Sequence, residues 1–309
     1  MTNTFRVGLV GARGYVGREM MQLIEADPAF TLALASSREH AGKPIQQMNP
    51  SLKTPLTFVA SDPEAVAKAG CDALILGLPN GMAAPYVEAV DKVAPKTVVV
   101  DLSADYRHVS GWTFGLSDLE RDLIRGQKRI ANPGCYATAG ILALYPIRDL
   151  LAGTPSVFGL SGYSGAGTKR GPKNDPARLK DNILPYGFAG HGHQGEISAA
   201  IGQPVRFMPH VLSLLRGLLA PVSAPLVIGT SEAMVWARYK EAYADNSTID
   251  LTVEPPEPKA VANTPKAALG GVAIDPTTNV LSVACAHDNL LKGAASQALA
   301  NLRLAVGLD

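Results

Sequence analysis

Short apolar runs punctuate the first part of the chain: FRVGLVG, TLALASS, DALILGLP and TVVVDLS, each separated from the next by stretches with helical spacing. That rhythm predicts a parallel sheet with crossover helices. Beyond Gly14 the apolar residues Val16, Met20 and Ile24 recur every four positions, so a helix is expected to leave the first strand directly. From about Thr154 the texture changes to the glycine- and serine-rich run SVFGLSGYSGAGTKRGP. The segments VRFMPHVL, LLAPVSAPLV and NVLSVAC then alternate, which predicts strands of a second, largely antiparallel sheet in an α+β domain. Leu291, Ala294, Ala298, Leu302 and Ala305 stand at helical spacing and predict a closing helix within Asp288 to Val306. The PPEP at 255–258 reads as an edge or loop, and neither an internal repeat nor a low-complexity linker is visible.

Composition adds bounds rather than identity. With 309 residues, 47% hydrophobic and 18% charged, the chain is long enough for two domains with cores of their own. A formal net charge of +1 offers no basic field for nucleic acid, so a small-molecule partner is the default. The start, MTNTFRVGLVGARGYVG, lacks the order of a signal peptide, and no stretch reaches the roughly 18 apolar residues of a membrane span. Three cysteines, Cys71, Cys135 and Cys285, are too few and too scattered for a disulfide framework or a zinc cluster. No metal is therefore expected, and a reducing, cytoplasmic setting is.

The run Gly11-Ala-Arg13-Gly14-Tyr15-Val16-Gly17 falls where the first strand turns into a helix. Glycines there let the backbone approach a pyrophosphate at the helix N-terminus, as in a Rossmann-type dinucleotide-binding domain, although the spacing is GxxGxxG rather than GxGxxG. The second predicted strand ends in Ser36-Ser37-Arg38, with no acid before Glu39. Two hydroxyls and a guanidinium suit the 2′-phosphate of NADP better than the free hydroxyl of NAD, the alternative being ordinary residues of a solvated loop. Leu78 and Pro79, followed by Asn80-Gly81, fall at the carboxyl edge of the sheet, where ligands bind in open α/β folds.

Cys135 lies in Ala131-Asn132-Pro-Gly-Cys-Tyr-Ala-Thr138, a turn that opens a helical pattern through Ile141, Leu142 and Leu144. A thiol at a helix start feels the positive end of the helix dipole, which favours the thiolate. Cys71 and Cys285 sit in apolar runs and read as core. An acid/base partner is offered by His191 and His193, which flank a glycine and precede Glu196 in HGHQGEI.

The segments GARGYVG, DLSADYR, NPGCYAT, SGYSGAG, HGHQGEI and DNLLKGAASQA, in this order from residue 8 to about 298, resemble the N-acetyl-γ-glutamyl-phosphate reductases, relatives of aspartate-semialdehyde dehydrogenase. The resemblance implies an acyl-phosphate substrate, attack by Cys135, hydride from NADPH to the resulting thioester, and release of a semialdehyde for arginine biosynthesis. It favours His191 over His193 as the acid/base, with Gly192 and Gln194-Gly195 departing from the family's usual HRHTPEI. It places Arg107, Asn132, Ser161, Tyr186, His193 and Glu196 around the substrate, and Ser164, Gly165 and Asn289 near the cofactor. His210 and Arg216 match a family segment and are assigned to structure or substrate approach. It implies a cofactor domain of residues 1–135 with a returning helix in 288–309, a catalytic and dimerisation domain of 136–287, and a homodimer or homotetramer. Competing expectations are a reductase of aspartyl or α-aminoadipyl phosphate, and, outside enzymes, an NADP-binding regulator.

Overall fold

Among the described residues, which run from 4 to 309 in this computed structural model, six strands form the first sheet: β1 Phe5–Val10, β2 Phe30–Ser36, β3 Ala73–Leu76, β4 Val98–Asp101, β5 Thr113–Phe114 and β6 Arg129–Ala131. Residues 1–3, with which the expected first domain and the N-terminal stretch begin, lie outside the described residues. The strand order is β2-β1-β3-β4-β6-β5 and every pairing is parallel. The sequence explains how both faces are covered. Along β3, Ala73 and Ile75 join one core while Leu74 and Leu76 join another, and along β4, Val98 and Val100 part in the same way from Val99. That is the two-residue period of a strand buried on both sides.

Helix α1 Tyr15–Ala26 covers the first face with Met20, Met21 and Ile24, and α2 Pro63–Ala67 and α3 Ala84–Val93 cover the second with Val66, Val87 and Val90. Each such side chain taken fully out of water contributes about 1.5–3 kcal/mol. A four-residue α4, Arg121–Ile124, follows β5.

The chain divides into two compact units. The first runs through Pro133 and takes up Ala294–Asp309, whose closing helix Ser296–Ala305 places Ala298, Leu302 and Leu304 in the α1-side core. The second is Gly134–Gly293 and so contains Cys135 and residues 288–293. Local bonding accounts for this: Gly134 N–H donates to Oε2 of Glu196 at 2.9 Å, and Asp288 pairs with Arg216 at 2.7 Å, all four within the second unit.

That second unit is built on α5 Cys135–Leu144, in which every residue after Cys135 is buried. Seven strands among the described residues form its sheet: β7 Ser156–Gly162, β8 Ile183–Pro185, β9 Arg206–Leu212, β10 Leu218–Pro225, β11 Ile249–Thr252, β12 Ala267–Asp275 and β13 Val280–His287, in the order β11-β12-β13-β10-β7-β9-β8. Along β10, Leu218, Ala220, Val222 and Ala224 are buried while their neighbours are half-buried, so one face is the inner face. On that inner face α5 lies so close that a Cβ on Gly159 would stand 2.6 Å from the Tyr136 ring. α7 Gly192–Ile201 packs on α5, α8 Glu232–Ala242 on β12 and α9 Pro258–Val261 on β13, while Leu179 of α6 Pro176–Leu179 packs with Leu184 of β8 and Val211 of β9. Tyr239 and Tyr243 of the α8 region donate their hydroxyls to the carbonyls of Ala143 and Leu142. The PPEP segment joins the edge strand β11 to α9, as its prolines require.

The expectation of a largely antiparallel second sheet is corrected: the sheet is mixed. β7 pairs with β9, and β11 with β12, in parallel, while the other pairings are antiparallel. Parallel neighbours need a long crossover, and the chain between β7 and β9 supplies one through α6, β8 and α7. Alternation of apolar residues is the same for both pairing senses, so the pattern could not tell them apart. No helix among the described residues is long and apolar enough to cross a membrane.

Candidate active site

In the first unit the glycine run forms the turn between β1 and α1. Gly11 has φ +81, and a Cβ there would lie 2.1 Å from the Gly77 carbonyl oxygen, so only glycine fits. Gly17 is equally constrained, because a Cβ would press at 2.7 Å on the Ala12 backbone. Gly14 differs. It has φ −62, and a Cβ there would meet nothing nearer than the Gly11 carbonyl oxygen at 3.6 Å. Helix α1 thus begins at a residue without a side-chain cap, with no acid in its first turn and with room above it. That is the cradle a pyrophosphate needs, and these residues fit a dinucleotide. Arg13 turns aside to pair with Glu39 at 2.8 Å.

At the end of β2 the three expected contacts separate. Ser36 and Ser37 are buried, Ser37 Oγ accepting from the His40 N–H and Ser36 Oγ lying 3.4 Å from that of Ser61. Arg38 is exposed. The loops carrying Leu78-Pro79 and DLSADYR are tied together: Asp105 accepts from the N–H groups of Gly81 and Ala83, and Asn80 accepts from that of Ala104. Arg107 donates to the carbonyls of Asn132 and Leu102, which holds its guanidinium at the carboxyl edge of β4 and β6. Asn132 is 1% exposed, and its side-chain oxygen accepts from Asn301 at 3.0 Å. Its amide is thus engaged inside the unit.

In the second unit Cys135 opens α5 as a half-buried residue, after an N-cap, Gly134, that carries no side chain to compete for the helix start. Buried Glu196 on α7 takes the Gly134 N–H, and its Oε1 lies 4.0 Å from Nε2 of His193. Glu196 therefore braces the turn that leads into Cys135. His191 is the N-cap of α7, its Nδ1 accepting from the His193 N–H at 3.3 Å. Burial, reinforced by Lys173, holds the His191 imidazole below its ordinary value, so it is neutral at neutral pH. With Nδ1 accepting, its proton resides on Nε2.

Rings close the group. Tyr136 packs against His191 and His193, with centroids 6.4 and 5.5 Å away, and Tyr186 stands 5.6 Å from His191. Burial first, then the charge of the neighbouring Cys135, pushes the Tyr186 phenol up to about 12, so it remains a donor. Ser161 and Ser164 are buried, and Ser164 Oγ is held by Nδ2 of Asn289, whose Oδ1 accepts from Gly217. Gly165 is exposed in the same turn. Arg216 is locked to fully buried Asp288, consistent with structure rather than chemistry. His210 accepts the Tyr136 hydroxyl on its carbonyl.

One neighbour of Cys135 carries no signal in the sequence. His287, fully buried at the end of β13, places Nε2 3.0 Å from the Cys135 carbonyl oxygen. A carbonyl can only accept, so Nε2 carries the proton. Burial pushes this imidazole down as well. Gly293 completes the contact, since a Cβ there would stand 2.7 Å from the Cys135 Cβ and 2.8 Å from the His287 ring. Nothing in the local pattern of NVLSVACAHD distinguishes this histidine from strand filler.

The chain is similar to known proteins in sequence and in fold. Residues 6–127 match the family described as semialdehyde dehydrogenase, NAD binding domain, and residues 135–289 match semialdehyde dehydrogenase, dimerisation domain. The N-acetyl-gamma-glutamyl-phosphate reductase of Xanthomonas oryzae pv. oryzae is 45% identical over 306 residues, covering 99% of this chain and 97% of its own. That of Stenotrophomonas maltophilia is 46% identical over 307 residues, with the same coverage of 99% and 97%. Among solved structures, aspartate semialdehyde dehydrogenase II from Vibrio cholerae has a TM-score of 0.78 at 18% identity, covering 98% of both chains. The enzyme with NADP from Candida albicans has a TM-score of 0.76 at 16% identity over the same share of each. At those identities the solved structures speak for the fold, whereas the curated relatives speak for descent. The chain belongs to the semialdehyde dehydrogenase family, on the branch of the N-acetyl-γ-glutamyl-phosphate reductases.

Proposed function

We propose that this protein reduces N-acetyl-γ-glutamyl phosphate with NADPH, giving N-acetylglutamate 5-semialdehyde and phosphate, a step of arginine biosynthesis in the cytoplasm. The placement of Cys135 carries the proposal: a half-buried thiol at a glycine-capped helix start, braced through Gly134 by Glu196 and faced by a histidine-tyrosine group. A helix start favours a thiolate. Its sulfur attacks the acyl carbon, a C–S bond forms, the bond to the phosphate oxygen breaks, and phosphate leaves. When bound, NADPH supplies the hydride that reduces the thioester. The thiohemiacetal oxyanion then expels the Cys135 thiolate as the C–S bond breaks, and aldehyde is released.

His191 is the acid/base. Neutral, with its proton on Nε2, it stabilises the oxyanion of each tetrahedral species and exchanges protons with the departing phosphate. His193 supports it from the first turn of α7, and the Tyr186 phenol donates to the substrate. Arg107 meets the phosphate, while Asn132 supports the loop that holds it. Gly11, Gly14 and Gly17 admit the pyrophosphate, with Arg13, Tyr15 and Val16 beside it, and Arg38 takes the 2′-phosphate. The outer face of the second sheet leaves Phe158 and neighbouring apolar residues partly exposed, which supports assembly as a homodimer or homotetramer through that unit.

Phosphate-dependent reduction of NADP, measured with a panel of semialdehydes, tests the proposal. The N-acetylglutamyl compound is expected to be preferred over aspartate semialdehyde, and arsenate is expected to replace phosphate. Higher efficiency with aspartate semialdehyde, or oxidation indifferent to phosphate, overturns it.

A further inference from the structure

Substrates of this reaction carry negative charge at both ends, and a cation stands beside the thiol, imidazoles and phenols of the second unit. That cation is Lys173. It lies between the turn Tyr163–Ala166 and α6, and its Nζ stands 3.7 Å from the centroid of the Tyr186 ring. It acts electrostatically on His191, just as Tyr186 is coupled to Cys135. The ammonium is thus directed into the group around the nucleophile.

The loop that presents Lys173 is pinned. Asn174, its neighbour, donates to the carbonyls of Gly167 and Lys169 at 2.8 Å each and accepts from the Gly171 N–H at 2.7 Å. Asp175, the nearest acid in sequence, is occupied as the cap of α6 through the Ala177 N–H. Among the described residues Lys173 makes no ion pair. Partial burial pushes its ammonium down from its ordinary value. A cation partly stripped of water and resting on an aromatic face recovers some of that cost from the ring, and an oxyanion would recover more. Lysine meets an anion as a point charge and needs no fork geometry.

We propose that Lys173 binds an oxyanion of the substrate beside Cys135 and His191, and so selects acyl chains that bring a second negative charge to the site. The inference rests on the acyl-phosphate function proposed above. The anion is either the carboxylate of the acyl chain or the phosphoryl group. In the phosphorylating direction these arrive as separate reactants, the semialdehyde and inorganic phosphate, so their KM values can be read independently.

The experiment compares Lys173→Met and Lys173→Arg with the parent enzyme, using N-acetylglutamate 5-semialdehyde, inorganic phosphate and NADP. Removal of the charge is expected to raise one of the two anion KM values on the order of ten- to a hundredfold, the loss of a charge-assisted hydrogen bond. The KM for NADP is expected to stay unchanged, and arginine to restore most of the effect. A raised KM for semialdehyde that vanishes with an aldehyde lacking the carboxylate assigns the acyl carboxylate; a raised KM for phosphate assigns the phosphoryl group. Unchanged KM for both, in active Lys173→Met and Lys173→Gln enzymes of parental thermal stability, overturns the inference alone. A parent enzyme without phosphate-dependent activity overturns the proposed function and this inference with it.

Discussion

Two helices in this molecule begin in the same way and differ in what surrounds their first turn. Both α1 and α5 start after a glycine in extended backbone, Gly14 and Gly134, and neither has a side-chain cap or an acid in its first turn. An ordinary helix would place serine, threonine or aspartate there, worth about 0.5–2 kcal/mol over alanine. At α1 the space above the helix start is open, since a Cβ on Gly14 would meet no atom closer than 3.6 Å. At α5 the chain fills its own helix start, with Cys135 at the first position and the Gly134 N–H taken by a buried carboxylate. On the proposed function, the same positive end serves a ligand's charge in one place and the chain's own sulfur in the other. A helix dipole does not choose between binding and chemistry; the side chains set around it do.

Breaking α5 at the sulfur has the largest expected effect. Cys135→Ser should lower turnover by about a thousandfold or more, because a hydroxyl is a poor nucleophile at neutral pH and an oxygen ester releases aldehyde badly. Steady-state rates, together with mass spectrometry of enzyme quenched with the acyl phosphate, check this. An N-acetylglutamyl adduct on a residue other than Cys135 would falsify the thioester assignment. Cys285, fully buried on β13, and buried Cys71, whose thiol is pushed up by burial, should keep chemistry when changed to serine.

At α1 the comparison can be sharpened between two glycines of one motif. Gly14→Val should raise the KM for NADP by about tenfold, since the new side chain enters ligand space, while unfolding loses only the ~0.5–1 kcal/mol of a poorer helix cap. Gly17→Val should do the reverse. Its Cβ would stand 2.7 Å from the Ala12 backbone, so a loss of about 1–3 kcal/mol in stability is expected from overpacking. Equal effects of the two substitutions on unfolding would mean that Gly14 serves the turn and not a cofactor.

The smallest effect lies in pH. Burial, with help from Lys173, depresses the His191 pKa below 6.5. A depressed imidazole stays neutral further into acid, so the acidic limb of kcat should lie below that value and activity should be lost only as pH falls through it. In His191→Asn this limb should disappear along with most of the turnover. A limb that persists unchanged in the variant belongs to another group, with His193 the first candidate.

Much of this is legible in the sequence. The apolar runs marked the strands of the parallel sheet, because strands buried on both faces must be apolar throughout, and Val16, Met20 and Ile24 marked the helix that follows. NPGCYAT announced a thiol at a helix start because proline and glycine end one element where the next pattern begins. What the chain's pattern could not reveal was which polar side chains are already spoken for. Ser36, Ser37, Asn132 and Asn289 all read as ligand contacts and all prove to be buried, with partners inside their own units.

The local sequence by itself determined the strand and helix rhythm, the glycine turn and the place of Cys135 at a helix start, since each depends on residues within a turn or two of one another. Tertiary structure alone decided the mixed pairing of the second sheet, the bond from Glu196 to Gly134, the histidine beneath Cys135 and the lysine over Tyr186. These join residues far apart in the chain, and a hydrogen bond or a stacked cation leaves no periodic trace at either end. Apolar burial is written along the chain as a pattern; the commitment of a polar group depends on what arrives beside it.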